Sequence, residues 1–265
     1  MSNFELDGKQ IIVSGAAHGI GTAVMTELIN AGAMPIGIDI EPFDKSELER
    51  KIAEYSSAWK AGHEFEFFQG NASKRQVMGQ VLASFQQLHG LVNNAGLLGG
   101  DKGHGGRNSQ SFDKMMAAHA KTALVLTELT YPKMDAGSSI VNVGSIEMIM
   151  AAPDVVLYTA AKGALLGMTV AYATTLAPNI RVNMVSPGNV NTERNLAQYQ
   201  EKATRQILQR FEERTPLKRS VEPIEVAHSI LYLLSPLSSA ITGQELIVDA
   251  GYTRALWDPG WTEKG

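Results

Sequence analysis

Apolar residues fall in short continuous runs, separated by longer stretches in which they recur every three to four positions. Residues 10–14 (QIIVS) form the first run, ending at Gly15, and residues 20–31 follow with helical spacing. Residues 35–40 are the second run, before a charged helical stretch over 44–61. Residues 64–69 and 73–88 repeat the pair, and 90–93 is a brief fourth strand. The pattern then predicts a helix over 111–134, a strand at 139–143, a helix over 154–177 and strands at 180–185 and 245–248. Short strands alternating with helical segments imply βαβ units, hence an α/β fold with a doubly wound parallel sheet and helices on both faces. No repeat, low-complexity tract or linker interrupts residues 1–265, which read as a single domain. Residues 99–106 (GGDKGHGG) look too glycine-rich to pack and read as a mobile loop.

Composition narrows the class. With 265 residues, 44% hydrophobic, the chain can bury a sizeable core. A net charge of -4 and basic runs no longer than a pair, such as Lys218-Arg219, argue against nucleic acid or an anionic membrane as partner. The absence of cysteine excludes disulfides, thiolate catalysis and cysteine-based zinc sites. The polar N-terminus lacks a signal-peptide core, and no apolar stretch is read as reaching the roughly 18 residues of a membrane span. A cytoplasmic location is expected. The histidines at 18, 63, 89, 104, 119 and 228 show no ligand spacing, so no metal is expected.

Ser14-Gly15-Ala16-Ala17-His18-Gly19-Ile20-Gly21 stands where the first strand meets the first helix. Glycines there let the backbone turn tightly against a pyrophosphate, with the free N–H groups of the helix start facing the anion. The spacing is G-x-x-x-G-x-G, so the turn alone reads equally as a plain tight connection. Asp39 ends the second strand, near the separation of roughly 20 residues expected for a ribose-binding acid. A carboxylate there accepts hydrogen bonds from both adenosine-ribose hydroxyls and repels a 2′-phosphate, and Ile40 supplies no cation to attract one. NAD is therefore favoured over NADP; the alternative is a cap or surface acid.

Tyr158 and Lys162 lie four apart on a segment of helical periodicity and so share one face. A nearby ammonium favours the phenolate, which otherwise forms only near pH 10, and makes the phenol a usable proton carrier for an alcohol or ketone. Ser145 follows the fifth predicted strand, at the carboxyl edge where open α/β sheets bind ligands, and its hydroxyl can hold a substrate oxygen. A tyrosine and lysine at this spacing also occur in helices by chance.

SGAAHGIG at 14–21, NNAG at 93–96, Ser145, YTAAK at 158–162 and PGNVNT at 187–192 keep the order and spacing of the short-chain dehydrogenase/reductase family. The chain resembles that family from its first strand to TGQELIVDAG at 242–251. The resemblance implies a single Rossmann-type domain with a seven-stranded parallel sheet. It implies Tyr158 as general acid/base, Ser145 orienting the substrate oxygen, and Lys162 lowering the tyrosine pKa while holding the nicotinamide ribose. The pyrophosphate turn would comprise Gly15, Ala17, His18, Gly19, Ile20 and Gly21, with Asp39 and Ile40 at the adenosine ribose. Asn94, Ala95 and Gly96 would lie beside that ribose. Pro187 and Gly188 would flank the nicotinamide, with Val190 in the same stretch, and Thr192 would contact the carboxamide. Asn189 and Glu147 would reach the substrate, although Glu147 reads equally as an exposed loop acid.

Two positions depart from the family. His119 stands where most members carry a catalytic asparagine; it either joins a proton relay with a pKa of about 6.5 or merely packs beside the site. Asn71-Ala72 replaces the usual aspartate; the amide either accepts from the adenine amino group or makes an Asx turn. Residues 192–216 correspond to a substrate lid, and Arg194, Arg205 and Arg210 there suit a solvated basic helix face. The tail over 251–265 carries Trp257 and Trp261, aromatics of a kind that bury against another subunit, and family members are commonly homotetramers. Glu147, the 99–106 loop and Arg107 hint at a polar substrate, whereas Met148 and Met150 suggest an apolar pocket. The expected activity is NAD-dependent oxidation of a secondary alcohol. The alternatives are a ketone or enone reductase and a catalytically silent cofactor-binding protein.

Overall fold

Strand β1 (Gln10–Ser14) has no polar face: Ile11, Ile12, Val13 and Ser14 are all buried, as befits a strand covered on both sides. It lies third in a seven-stranded sheet of order β3-β2-β1-β4-β5-β6-β7, every neighbouring pair parallel. The others are β2 (Met34–Asp39), β3 (Glu66–Gln69), β4 (Leu88–Asn93), β5 (Met134–Val143), β6 (Ile180–Pro187) and β7 (Glu245–Val248). The computed structural model describes residues 4–42, 46, 49–50, 65–97, 99–198 and 200–255. The helix expected over 44–61, His63, and Trp257 and Trp261 of the tail lie outside the described residues or largely so.

Helices cover both faces. On one, α1 (Gly19–Asn30) presents Val24, Met25 and Leu28 to a core shared with Val13, Val92 and Ile230. On the other, α2 (Arg75–Ala83) contributes Met78 and Leu82 to a core with Ile12, Ile38, Leu91 and Val182. The segment expected as one helix over 111–134 is broken. It consists of α3 (Ser109–Met116), a π-helical turn Ala117–Lys121 and α4 (Thr122–Thr130), and β5 already begins at Met134. Such single-turn π insertions concentrate at functional sites, and this one carries His119.

The 20-residue α5 (Val156–Thr175) carries Tyr158 and Lys162. By length and composition alone it could cross a membrane, a test that the core helix of a folded domain also passes. Here it packs instead against β5 and β6, burying Leu157, Ala161, Lys162 and Leu165. Two helices, α6 (Glu193–Gln198) and α7 (Lys202–Arg214), occupy the expected lid segment, with Arg194, Arg205 and Arg210 exposed. The strand–helix pattern did not anticipate α8 (Pro223–Leu234). Its signal is local: Pro223 opens it, and Glu222 and Glu225 form a reciprocal capping box. It lies against α1, with His228 Nε2 3.0 Å from Glu27 Oε2.

Candidate active site

The turn after β1 is built around absent side chains. Gly15 adopts φ +66°, and a Cβ there would stand 2.8 Å from Ala95 Cα; at Gly21 it would collide with the Gly15 carbonyl oxygen. α1 then begins at Gly19 with no side-chain cap on its first N–H groups, the arrangement that suits an anion. Asp39, at the carboxyl end of β2, accepts a hydrogen bond from Ala17 N at 3.0 Å and another from Glu41 N at 3.1 Å. The acid and the turn thus meet, while Ile40 beside them is 58% exposed. The cradle that a Cβ would fill, the open helix start and the adjacent carboxylate fit a dinucleotide.

Asn93 to Gly96 tie this turn to the centre of the sheet. Asn94 Nδ2 donates to Gly15 O at 2.9 Å and to Ser14 O at 3.2 Å, and Ser14 Oγ accepts from Asn94 N and Ala95 N. Asn93 Nδ2 donates to Asn142 Oδ1 at 2.8 Å, and Asn142 Nδ2 to Thr169 Oγ1 at 2.8 Å. Buried amides keep such positions only when bonded, so this chain fixes β4, β5 and α5 together. Just past β3 on the same carboxyl edge, Asn71 Oδ1 accepts from both Ser73 N and Ser73 Oγ, the Asx turn, so the oxygen proposed for an adenine is already engaged.

Ser145 follows β5 and is nearly buried; its Oγ accepts from Glu147 N at 3.2 Å and lies near enough to the Tyr158 phenol to favour its ionised form. Lys162 is 4% exposed, with Nζ donating to Val143 O at 2.7 Å and lying 5.6 Å from the Tyr158 ring centroid. Burial pushes the Tyr158 phenol up to about 12, against the downward pull of the Ser145 hydroxyl, and Glu147 adds to the rise. Burial also brings the Lys162 ammonium down to about 7. The acidified phenol expected from the sequence is therefore not what the protein's own groups produce. Desolvation outweighs the favourable contacts, because Lys162 is buried and Tyr158 is partly shielded from water.

His119 is 2% exposed and brought to this cluster by the π-helical turn. Its Nε2 lies 3.1 Å from Leu97 N and 3.0 Å from Leu97 O, and its Nδ1 is buried without a protein partner. Burial, reinforced by Lys162, pushes its pKa down to about 3. A ring titrating near neutrality, as the sequence reading allowed, is thus replaced by a neutral ring packed beside the phenol.

Two further expectations change. The 99–106 segment does pack: Asp101–His104 is a 3-10 turn, and Asp101 is 1% exposed. The Asp101 carboxylate accepts from Val156 N and Leu157 N, and Arg107 Nε lies 3.1 Å from Asp101 Oδ2. Glu147 Oε2 accepts from Ala152 N at 2.7 Å. Both charged groups read as hints of a polar substrate are therefore already engaged within the protein. Asp101 escaped the sequence reading because its partners lie some 55 positions along the chain.

Across the cleft, Pro187 ends β6 and Gly188 N donates to Val248 O at 2.9 Å; a Cβ on Gly188 would press on Asp249. Asn189 Nδ2 donates to Ser220 Oγ, and buried Val190 bridges to Val221. Thr192 starts the lid, its Oγ1 accepting from Asn195 N at 3.3 Å. Its methyl lies beside Gly19, and His18 Nδ1 stands 3.8 Å from Glu193 Oε2, so turn and lid nearly touch. Among the described residues no group of three His, Asp or Glu side chains could hold a metal ion.

Residues 15–253 match the family model described as enoyl-(acyl carrier protein) reductase. The chain is 34% identical over 253 residues to the 3-oxoacyl-[acyl-carrier-protein] reductase of Thermotoga maritima, covering 93% of this chain and 98% of that protein. It is 31% identical over 254 residues to D-xylose 1-dehydrogenase of Caulobacter vibrioides, covering 93% and 96%. A solved short-chain dehydrogenase/reductase from Brucella melitensis, titled a glucose/ribitol dehydrogenase, superposes with a TM-score of 0.81 at 26% identity, over 94% of this chain and 98% of that one.

Proposed function

From the premise that this chain belongs to the short-chain dehydrogenase/reductase family, an oxidoreductase family that uses a nicotinamide cofactor, we propose that it is an NAD-dependent dehydrogenase of secondary alcohols. One observation carries the reading. Tyr158, near Ser145 and with the Lys162 ammonium 5.6 Å from its ring centroid, lies at the same carboxyl edge of the sheet where Asp39 meets the glycine turn.

The turn from Gly15 to Gly21 would hold the pyrophosphate, Asp39 the adenosine ribose, and Lys162 the nicotinamide ribose, with Gly188 and Thr192 beside the ring. When bound, the nicotinamide supplies or accepts the hydride. Ser145 Oγ fixes the substrate oxygen. Tyr158 takes the hydroxyl proton as an alcohol is oxidised and returns it as a ketone is reduced. The Asp39 carboxylate supports NAD over NADP, because it repels a 2′-phosphate. Ketone reduction is the second reading, favoured by the family model's reductase description and by the oxoacyl reductase relative. A phenol held protonated by burial suits proton donation.

A cytoplasmic homotetramer completes the proposal. Phe112, Leu124 and Val170 leave apolar surface exposed on α3, α4 and α5, and light scattering returning a monomer would contradict it.

The decisive experiment follows NADH absorbance with polyols, sugars, hydroxy acids, cyclic alcohols and oxoacyl thioesters, with NADP in parallel. Turnover with one class, lost in Tyr158→Phe, is expected. Absence of dinucleotide binding by any assay overturns the reading.

A further inference from the structure

We propose that Asp101 is a positioning residue for Tyr158, holding the first turn of the catalytic helix from the loop that follows β4. The residue before α5, Val155, has no side chain able to cap, so the opening N–H groups need an outside acceptor. Asp101 supplies it with both oxygens: Oδ2 accepts from Val156 N at 3.1 Å and Oδ1 from Leu157 N at 3.0 Å. Tyr158 is the next residue along that turn. A carboxylate also opposes the positive end of the helix dipole, which strengthens both bonds.

The loop is locked from the other side as well. Asp101 N donates to Asp154 O at 2.6 Å, and Gly106 N to Asp101 O at 2.8 Å. Arg107 spans the pair, with Nε 3.1 Å from Asp101 Oδ2 and a terminal nitrogen 3.9 Å from Asp154 Oδ1. Gly100 has to be glycine for this approach, because a Cβ there would stand 2.7 Å from Asp154 Oδ2 and 2.9 Å from its carbonyl oxygen. The buried carboxylate is thereby both hydrogen-bonded and charge-paired, as burial of a charge requires. The same loop follows directly from β4 and the 93–96 segment, so the phenol's position is referred to the strand that carries the cofactor-side asparagines.

This inference rests on the proposed activity of Tyr158, and its test separates the two. Asp101→Asn keeps the shape but points an N–H₂ at one helix N–H. Gly100→Ala pushes the loop off Asp154 without altering any group near the phenol. In both, kcat is expected to fall roughly 10- to 100-fold, as a small misplacement of a catalytic group does, while the NADH Kd changes by less than about twofold. A lower Tm with unchanged kcat would overturn the proposal, because it would leave Asp101 a purely structural cap. A second readout needs no turnover: in protein labelled at tyrosine, the NMR signal assigned to Tyr158 by its loss in Tyr158→Phe moves in Asp101→Asn. A signal that stays in place overturns the positioning role even if no substrate is found, and a wild type that oxidises nothing counts against the function alone.

Discussion

The His119 ring stands edge-on to the Tyr158 ring, 5.3 Å between centroids and 84° between planes. Its Nε2 is meanwhile fastened to the Leu97 backbone, so the phenol rests against a wall anchored at the end of β4. Edge-to-face pairs of this kind contribute about 0.5–1.5 kcal/mol beyond their burial. These contacts fit a supporting ring held neutral by burial.

His119→Asn should therefore leave the pH–rate profile without a lost limb near pH 6.5. Its stability, by contrast, should depend less on pH than that of the wild type. The folded pKa of about 3 lies below the unfolded value of 6.5, so the neutral ring's contribution is present above pH 6.5 and drains away as pH falls toward 3. Between about pH 7.5 and about pH 4.5 the wild-type Tm should drop more than that of His119→Asn. An equal drop contradicts the buried neutral ring.

Burial holds the Tyr158 proton up to about pH 12, so the two reaction directions should respond to pH differently. Oxidation needs the phenolate, and its kcat/KM should climb as pH rises above neutrality. Reduction needs the phenol, and should stay level until it ionises. Tyr158→Phe should lower turnover roughly 10²- to 10⁴-fold in both directions. Parallel profiles for oxidation and reduction would refute this assignment of the proton.

Lys162 gives a stability signature of its own. Its folded pKa of about 7 lies below the unfolded value of 10.5, so its stabilising share is complete above pH 10.5 and lost as pH falls through 7. Wild-type Tm should accordingly gain relative to Lys162→Met as pH rises from 7 toward 10.5, read by thermal melts across that window. Turnover should collapse in the same variant. A Tm difference independent of pH would show the ammonium to be solvated.

Asp39→Ala removes a carboxylate that faces both Ala17 N and the expected ribose. The Kd for NAD should rise roughly tenfold, the scale of losing a charged hydrogen bond, while that for NADP falls or holds. Fluorescence titration with both reduced cofactors measures the ratio. An unchanged ratio would place the ribose elsewhere.

The local sequence was most telling where one element determines its own state. QIIVS is β1 and ELIV is β7 at the predicted bounds, because continuous apolar runs bounded by turns have few other uses. The turn and the Tyr158–Lys162 pair were equally legible, since both depend on spacing within one segment. Longer segments fared less well: the π-helical turn at Ala117–Lys121 leaves no mark on a periodicity count. The helix Pro223–Leu234 was missed although its capping box and opening proline were there to read.

What the chain's order of residues determined by itself was the α/β alternation, the glycine turn with Asp39, and the chemical identity of Ser145, Tyr158 and Lys162. Tertiary structure alone decided their behaviour. It drew Asp101 out of a glycine-rich segment to cap α5 with Arg107 paired to it, tied Glu147 to Ala152, and shielded Tyr158, Lys162 and His119 from water enough to shift all three pKa values. The physical reason is that spacing acts through a few covalent bonds and can be read in line. Desolvation and capping depend on which distant segments exclude water from a group or supply its acceptor, and that is settled only when the sheet closes its neighbours around it.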